Sequence, residues 1–171
     1  ADDSEPPPGY HWDRWLGPAP CVPFNRSRLN NSWWFDYAGG MMTNWAVHHI
    51  DIILWAMGVG SPKSAVCPGG KLVVDDMADT PDTMEASWEF PGFVMHYRYR
   101  GFNKFHVIQS RPHGHGICFH GNQATMVLDR SGYELWEDRD PNQSVQREDN
   151  PRHWGDGKPG NRTDASYRQT G

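Results

Sequence analysis

The residues best suited to chemistry form a polar row within one short segment. Asn44, His48 and Asp51 are separated by four and then three positions, so on a helix they share one face. Histidine titrates closest to neutral pH and is the commonest general base in proton transfer. A structural interpretation is also open, in which Asp51 simply accepts a hydrogen bond from His48. Zinc is less favoured, because it takes three or four convergent ligands and the row offers one imidazole, one carboxylate and one amide.

A helix over residues 44–57 is predicted to carry this row. The pair Gly39-Gly40 precedes it, Thr43 or Asn44 can cap it through a side-chain oxygen, and Gly58 follows as a stop signal. The apolar stripe expected on another side of this helix consists of Val47, Ile50, Leu54 and Met57.

The residues around this helix resemble a known family. Gly39-Gly40 with Asn44, His48 and Asp51 resembles the G-G-x-x-x-D-x-G-x-H-x-x-D signature of the Gfo/Idh/MocA oxidoreductases, named for glucose–fructose oxidoreductase and inositol dehydrogenase. Residues 15–20, W-L-G-P-A-P, resemble an element of one branch of the family, and residues 121–130 resemble its G-T-x-G-x-L-x-L-D stretch. Two positions depart from the signature, since Asn44 replaces its usual Asp and Ala46 its usual Gly.

The resemblance implies a C-terminal domain of the α+β class, with a mostly antiparallel open sheet and one main helix packed on it. In the family such a sheet commonly serves oligomer contacts, which implies a homo-oligomer. The implied activity is hydride transfer between NAD or NADP and a sugar, polyol or related carbohydrate. His48 would accept the proton and Asn44 would hold the substrate. The remaining substrate-binding residues expected from this reading are Asp51, Trp34, Tyr37 and Arg28.

No G-x-G-x-x-G motif follows a predicted strand in the sequence, so the dinucleotide fingerprint is absent and no cofactor-binding residue is predicted in this chain. The family's Rossmann domain and its Glu-Lys-Pro motif are not recognisable, and we expect residues 1–171 alone to be inactive. Two alternatives remain open. One is an NAD-dependent glycosidase of the same family, and the other is a non-catalytic member that only assembles partners.

The periodicity of apolar residues along the chain predicts its domain bounds and its strands. Residues 1–136 are predicted to form a partial C-terminal substrate-binding and oligomerisation domain, with a polar loop or tail over residues 137–171. One sheet of about five or six strands is expected. Alternation is clearest at 84–90 and 93–99, which indicates a hairpin. The other predicted strands are residues 64–67, 71–74, 117–120, 125–128 and 133–136. The acidic loop, residues 75–82, is interpreted as solvated rather than as a calcium site.

Composition narrows the partners. The net charge of −5 gives no reason to expect nucleic acid, and no apolar run approaches the ~20 residues that span a membrane. Cys21, Cys67 and Cys118 lack metal-ligand spacing and are predicted to be buried thiols. His113, His115 and His120 contain an H-x-H pair, but a three-histidine site there requires a bent strand, and no metal is predicted. The compartment is left open between bacterial cytoplasm and periplasm.

Overall fold

A computed structural model describes residues 2–103 and 115–137, together with the backbone of 144–149. The chain divides into two compact units, Ala1–Asn103 and Lys104–Gly171. The predicted fold class is confirmed, since the strands are antiparallel and one main helix is present. Within the described residues, no helix has the length and apolar character needed to cross a membrane.

The helical elements lie in the first half of unit 1. They are α1 (Trp12–Leu16), two 3₁₀ turns (Arg26–Leu29 and Asn31–Trp33), a π-helical turn (Met42–Ala46) and α2 (Val47–Met57). α2 ends where predicted, at Gly58, whose φ of +62° places it in the left-handed region and whose N–H donates to the Leu54 and Trp55 carbonyls.

An aromatic cluster packs around α1. Trp12, Leu16 and Phe24 form its buried part, and the Trp12 indole N–H donates to the Val22 carbonyl at 2.8 Å. Trp15 stacks on Trp12 with ring centroids 4.6 Å apart. Trp12 and Trp15 therefore contribute apolar area to a core, and the single donor of Trp12 is satisfied there.

The sheet of unit 1 is built around β3 (Thr83–Phe90). β4 (Phe93–Arg100) pairs along one edge of β3, with Ala86 opposite Tyr97, and β1 (Ser64–Val66) and β2 (Gly69–Gly70) share its other edge. The predicted hairpin is therefore correct to within one residue at each end. The chain covers part of its apolar face: Met84, Ala86, Phe90 and Met95 are buried. The other side chains of that face are half-buried, namely Trp88, Phe93, Tyr97 and Tyr99.

The opposite face of the hairpin carries charge, as the alternation predicts. Glu85 accepts hydrogen bonds from Arg98 at 2.9 Å and from Arg100 at 3.1 Å. All three side chains are substantially exposed, so these pairs contribute little to stability.

Unit 2 contains a second four-stranded sheet in the order β5–β6–β7–β8. Its strands are β5 (Ile117–His120), β6 (Ala124–Asp129), β7 (Gly132–Glu137) and β8 (Ser144–Asp149). β5 to β7 match the predicted strands closely. β8 lies in the segment predicted as a polar loop or tail; its Ser-Val-Gln-Arg-Glu-Asp sequence has no strong alternation, and pairing with β7 forms the strand.

Three further expectations are corrected. The described strands form two sheets rather than one. Residues 71–74 are not a strand, although they are apolar, because the N–H groups of residues 72–74 donate to the Asp82 carboxylate. Cys21 and Cys67 are exposed and only Cys118 is half-buried, since the loops that carry the first two lie at the surface. Burial raises the pKa of the Cys118 thiol.

Candidate active site

The glycine pair forms a tight turn directly before the helix. Gly40 is buried with a φ of +60°, a conformation that suits glycine because it has no Cβ. Its N–H donates to the Ser32 carbonyl and its own carbonyl accepts from the Asn44 N–H, both at 3.0 Å. The Thr43 hydroxyl accepts from the Gly39 N–H at 2.8 Å. The predicted cap is wrong: the π-helical turn and the α-helix start after Met41 and Ala46, neither with a side-chain cap, and Thr43 bonds the preceding turn instead.

Asn44 lies in the π-helical turn and not in an α-helix as predicted. The turn spans Met42–Ala46, and α2 begins at Val47. A π turn contains one more residue than an α turn and occurs mostly as a single turn near functional sites. Ala46, where the family signature has Gly, is fully buried.

The predicted polar row faces solvent. Asn44, His48 and Asp51 are all exposed. Within the described part of the chain, none of the three side chains makes a hydrogen bond, so the structure does not contain the His48–Asp51 contact of the structural interpretation. The Trp45 ring lies 6.0 Å from the rings of His48 and His49, edge-on to each. The imidazole of His48 is thus open to a reacting molecule.

α2 as a whole is also poorly covered. Across this helix, which the structure describes in full, no residue is buried, although Ile50 and Leu54 of the predicted apolar stripe are half-buried. Trp55 is 82% exposed. It follows His48 by seven positions and Asp51 by four, so it shares their side of the helix. An apolar surface therefore borders the polar row.

The other predicted substrate-binding residues form a separate cluster. The Arg28 guanidinium carbon lies 4.0 Å above the ring of Trp34, a cation–π geometry, and Nη1 lies 3.8 Å from the Asp36 carboxylate. Trp34 is buried and Tyr37 half-buried. Burial raises the pKa of the Tyr37 phenol, the Asp36 carboxylate raises it further, and Arg28 offsets part of that rise.

Three buried donors in this cluster have no hydrogen-bond partner among the described residues. They are Arg28 Nη1, Trp34 Nε1 and Tyr37 Oη. Buried donors without acceptors are costly, so the cluster has unused capacity for an oxygen acceptor. Asp36 belongs to it as well, although the sequence pattern did not single that residue out.

The acidic loop, interpreted from sequence as solvated, is bound to the rest of unit 1 through its side chains. Asp79 accepts from the Phe35 N–H at 2.8 Å. Asp82 is 7% exposed. Lys71 donates to the Asp76 carboxylate and to the Ala78 carbonyl. No group of three or more metal-ligating side chains occurs among the described residues. Of the histidines considered for a metal, His113 lies outside the described residues.

Asp79 and Asp82 were missed because they accept hydrogen bonds from backbone N–H groups of other segments. Thr80 was missed because it packs on the Gly40 backbone. The available signal was the density of Asp and Thr in one loop, since these side chains readily bond nearby backbone. That signal does not say which backbone is bonded.

The chain matches one known protein family. Residues 2–97 match an oxidoreductase family, the Gfo/Idh/MocA C-terminal alpha/beta domain, over more than half of the chain. The chain belongs to this family. No curated protein matched it. The part of this Gfo/Idh/MocA chain that matches includes α1, the glycine pair, the π-helical turn, α2 and most of the β3–β4 hairpin, so the whole polar row lies within it.

Proposed function

We propose that this chain supplies the substrate-binding surface and the proton acceptor of an NAD(P)-dependent oxidoreductase acting on a sugar, polyol or related carbohydrate. The observation that carries the proposal is the exposed row of Asn44, His48 and Asp51 directly after the glycine pair of an oxidoreductase-family domain. An imidazole without an internal partner is available to a substrate hydroxyl, whereas an imidazole bonded to Asp51 would be partly occupied.

Oxidation of a carbinol to a carbonyl requires one acceptor for a hydride and one for a proton. The carbinol carbon of the substrate loses a hydride, its hydroxyl loses a proton, and a carbonyl forms. A bound nicotinamide supplies the hydride acceptor. His48 takes the proton, because imidazole has an ordinary pKa near neutrality and lies on an exposed surface that substrate can reach. In the reverse direction the imidazolium returns that proton to the new hydroxyl.

Asn44 and Asp51 hold the substrate on either side of His48. The Asn44 amide both donates and accepts hydrogen bonds, which suits a hydroxyl group, but it cannot accept a proton as the family's usual Asp can. Of the two positions 44 and 48, only His48 can therefore accept a proton. Asp51 accepts hydrogen bonds only, and so favours a substrate with a second hydroxyl one helical turn away.

Arg28, Trp34 and Tyr37 are the second proposed area of substrate contact. Their unpartnered donors match the oxygen acceptors that a carbohydrate offers. These atoms are covered in the present structure, so contact there requires the Arg28 side chain to move away from Trp34.

No G-x-G-x-x-G motif follows a predicted strand in the sequence, and the described surface offers no glycine-rich turn at a helix N-terminus that follows a strand. We therefore assign the nucleotide to a Rossmann domain beyond these residues, with the nicotinamide facing the polar row. The proposed partner of the unit 1 sheet is a second copy of the chain.

The test is NAD(P)H formation by the intact protein with a panel of aldoses, polyols and uronates, each with NAD⁺ and with NADP⁺. Formation of NAD(P)H with at least one carbohydrate is expected. Release of free sugar from a glycoside without net NADH would point to the glycosidase alternative. Absence of both reactions across the panel, in protein shown to bind the nucleotide, would favour the non-catalytic alternative and overturn the proposal.

A further inference from the structure

We propose that Asp79 and Thr80 are positioning residues, which hold the glycine turn and through it the π-helical turn and His48. The catalytic part of this statement rests on the proposed function, whereas the structural part stands by itself. Both residues lie in the acidic loop, far from Asn44 in sequence, and neither belongs to the polar row.

Thr80 makes the closest contact with the glycine turn. It is 3% exposed, and a Cβ added to Gly40 would lie 2.8 Å from the Thr80 Cβ and 2.9 Å from its hydroxyl oxygen. The Thr80 side chain therefore packs directly on the Gly40 backbone. Its hydroxyl has no hydrogen-bond partner among the described residues, so Thr80 acts here by shape and not by hydrogen bonding.

Asp79 attaches the preceding segment at two points. Its N–H donates to the Trp33 carbonyl at 3.2 Å, and its carboxylate accepts from the Phe35 N–H at 2.8 Å. Residue 34, between these two points, accepts at its carbonyl from the Tyr37 and Ala38 N–H groups. The segment that leads into the glycine pair is thus fixed by Asp79.

A backbone hydrogen bond connects the glycine turn to the polar row. Gly40 accepts from the Asn44 N–H, and Asn44 begins the stretch that ends at His48 one turn later. The loop that provides Asp79 and Thr80 is itself held by the Asp82 carboxylate, which accepts from the Val73 and Val74 N–H groups. A loop fixed in this way can hold the catalytic turn without depending on substrate.

The proposal predicts a specific pattern of amide hydrogen exchange in the intact protein. Thr80→Gly removes the packing on Gly40, so the Asn44 amide should exchange at least about tenfold faster, while the β3–β4 amides stay protected. Thr80→Val is the matched control, because it keeps the shape and loses only a hydroxyl without a partner. Its Asn44 amide should exchange at the wild-type rate.

Asp79 offers a second matched pair. Asp79→Ala removes the acceptor for the Phe35 N–H, and Asp79→Asn retains an acceptor oxygen. The alanine variant should accelerate exchange at Asn44 by less than Thr80→Gly does, because the Asp79 hydrogen bond is exposed and Thr80 is buried. The asparagine variant should restore protection. This pair keeps the proposal testable if Thr80→Gly does not fold.

Turnover provides the second readout. Misplacing a catalytic group by about 1 Å can cost on the order of a hundredfold in rate, so Thr80→Gly should lower kcat with a smaller change in KM, and Thr80→Val should not. Wild-type exchange at Asn44 in both Thr80→Gly and Asp79→Ala would overturn the positioning role. Because exchange needs no turnover, an intact protein that oxidises no carbohydrate would refute the proposed function while leaving the positioning result to stand by itself.

Discussion

Replacing Asp82 by Asn should destabilise unit 1 more than any other single charge removal in the acidic loop. One carboxylate oxygen accepts from the Val74 N–H at 2.7 Å and the Val73 N–H at 2.9 Å, and the other accepts from the Thr83 hydroxyl at 2.7 Å. The Leu72 N–H lies 3.2 Å from both oxygens. The side chain is 7% exposed, so water cannot easily replace these donors.

The magnitude follows from the number of donors. Asparagine keeps one acceptor oxygen, loses the charge and turns an NH₂ group toward donors that it cannot satisfy. Hydrogen bonds to a charged group contribute about 1.5–3 kcal/mol and neutral ones about 0.5–1.5 kcal/mol. Leu72 and Val73 are exposed, so water recovers part of the loss at their N–H groups. The expected decrease in the free energy of unfolding is ~2–4 kcal/mol.

The stabilisation that Asp82 provides should decrease as the pH falls. Burial alone raises the pKa of the Asp82 carboxyl, but the hydrogen bonds from Thr83, Val74, Val73 and Leu72 outweigh it and hold that pKa far below its usual range. The unfolded chain therefore binds a proton at higher pH than the folded chain does. The stabilisation by Asp82 is complete above the unfolded pKa of about 4 and is lost as pH falls below it.

Urea unfolding of wild type and Asp82→Asn, at neutral pH and at successively lower pH, measures the loss of unfolding free energy and its dependence on pH. The difference should be largest at neutral pH and should narrow below about pH 4. Asp75→Asn is the control, because Asp75 is an exposed carboxylate of the same loop and should change stability by less than about 0.5 kcal/mol. An Asp82→Asn variant equal to wild type, or a difference independent of pH, would refute this account.

Three further predictions concern other parts of the chain. Gly69→Ala should lower the free energy of unfolding by about 2 kcal/mol or more, because φ is +155° and the new Cβ would lie 2.3 Å from the Thr83 carbonyl oxygen. Thermal unfolding beside Gly60→Ala, where φ is not positive and the added Cβ meets open space, checks it. Tyr97→Glu, on the apolar face of the hairpin, should dissociate the proposed homo-oligomer in light scattering of the intact protein, while Val94→Glu on the opposite, exposed face should not. Residues 1–171 alone should show no micromolar NADH binding by calorimetry, since no predicted strand is followed by the glycine fingerprint; binding at that level would place the nucleotide site within this chain.

Much of the fold could be predicted because its signals are local. Strict alternation from Met84 to Phe90 gave β3 to within one residue, and the glycine at position 58 gave the end of α2. Residues 71–74 gave a wrong strand, because the N–H groups of residues 72–74, which would join a sheet, instead bond the Asp82 carboxylate eight to ten positions later. Such competition between a side chain and a sheet is not visible in the pattern of apolar residues.

The candidate site was likewise predictable only in part. The spacing of Asn44, His48 and Asp51 predicted that the three residues share one helix face, and their exposure to solvent is known only from the structure. The π-helical turn was not predictable from spacing, because α and π turns differ by one residue in the hydrogen-bond acceptor and place similar demands on composition. Thr80 was equally hidden, because its contribution is a packing contact with a glycine that lies 40 positions earlier.

The central claim is that His48 accepts the proton of a carbohydrate hydroxyl during hydride transfer. The direct measurement compares kcat for NAD(P)H formation by the intact protein with that of His48→Ala and His49→Ala. His49 is the matched control, because it is the neighbouring imidazole at the same 6.0 Å distance from the Trp45 ring. The account predicts a loss of about a hundredfold or more for His48→Ala and near wild-type turnover for His49→Ala. Full turnover by a folded His48→Ala variant would contradict it.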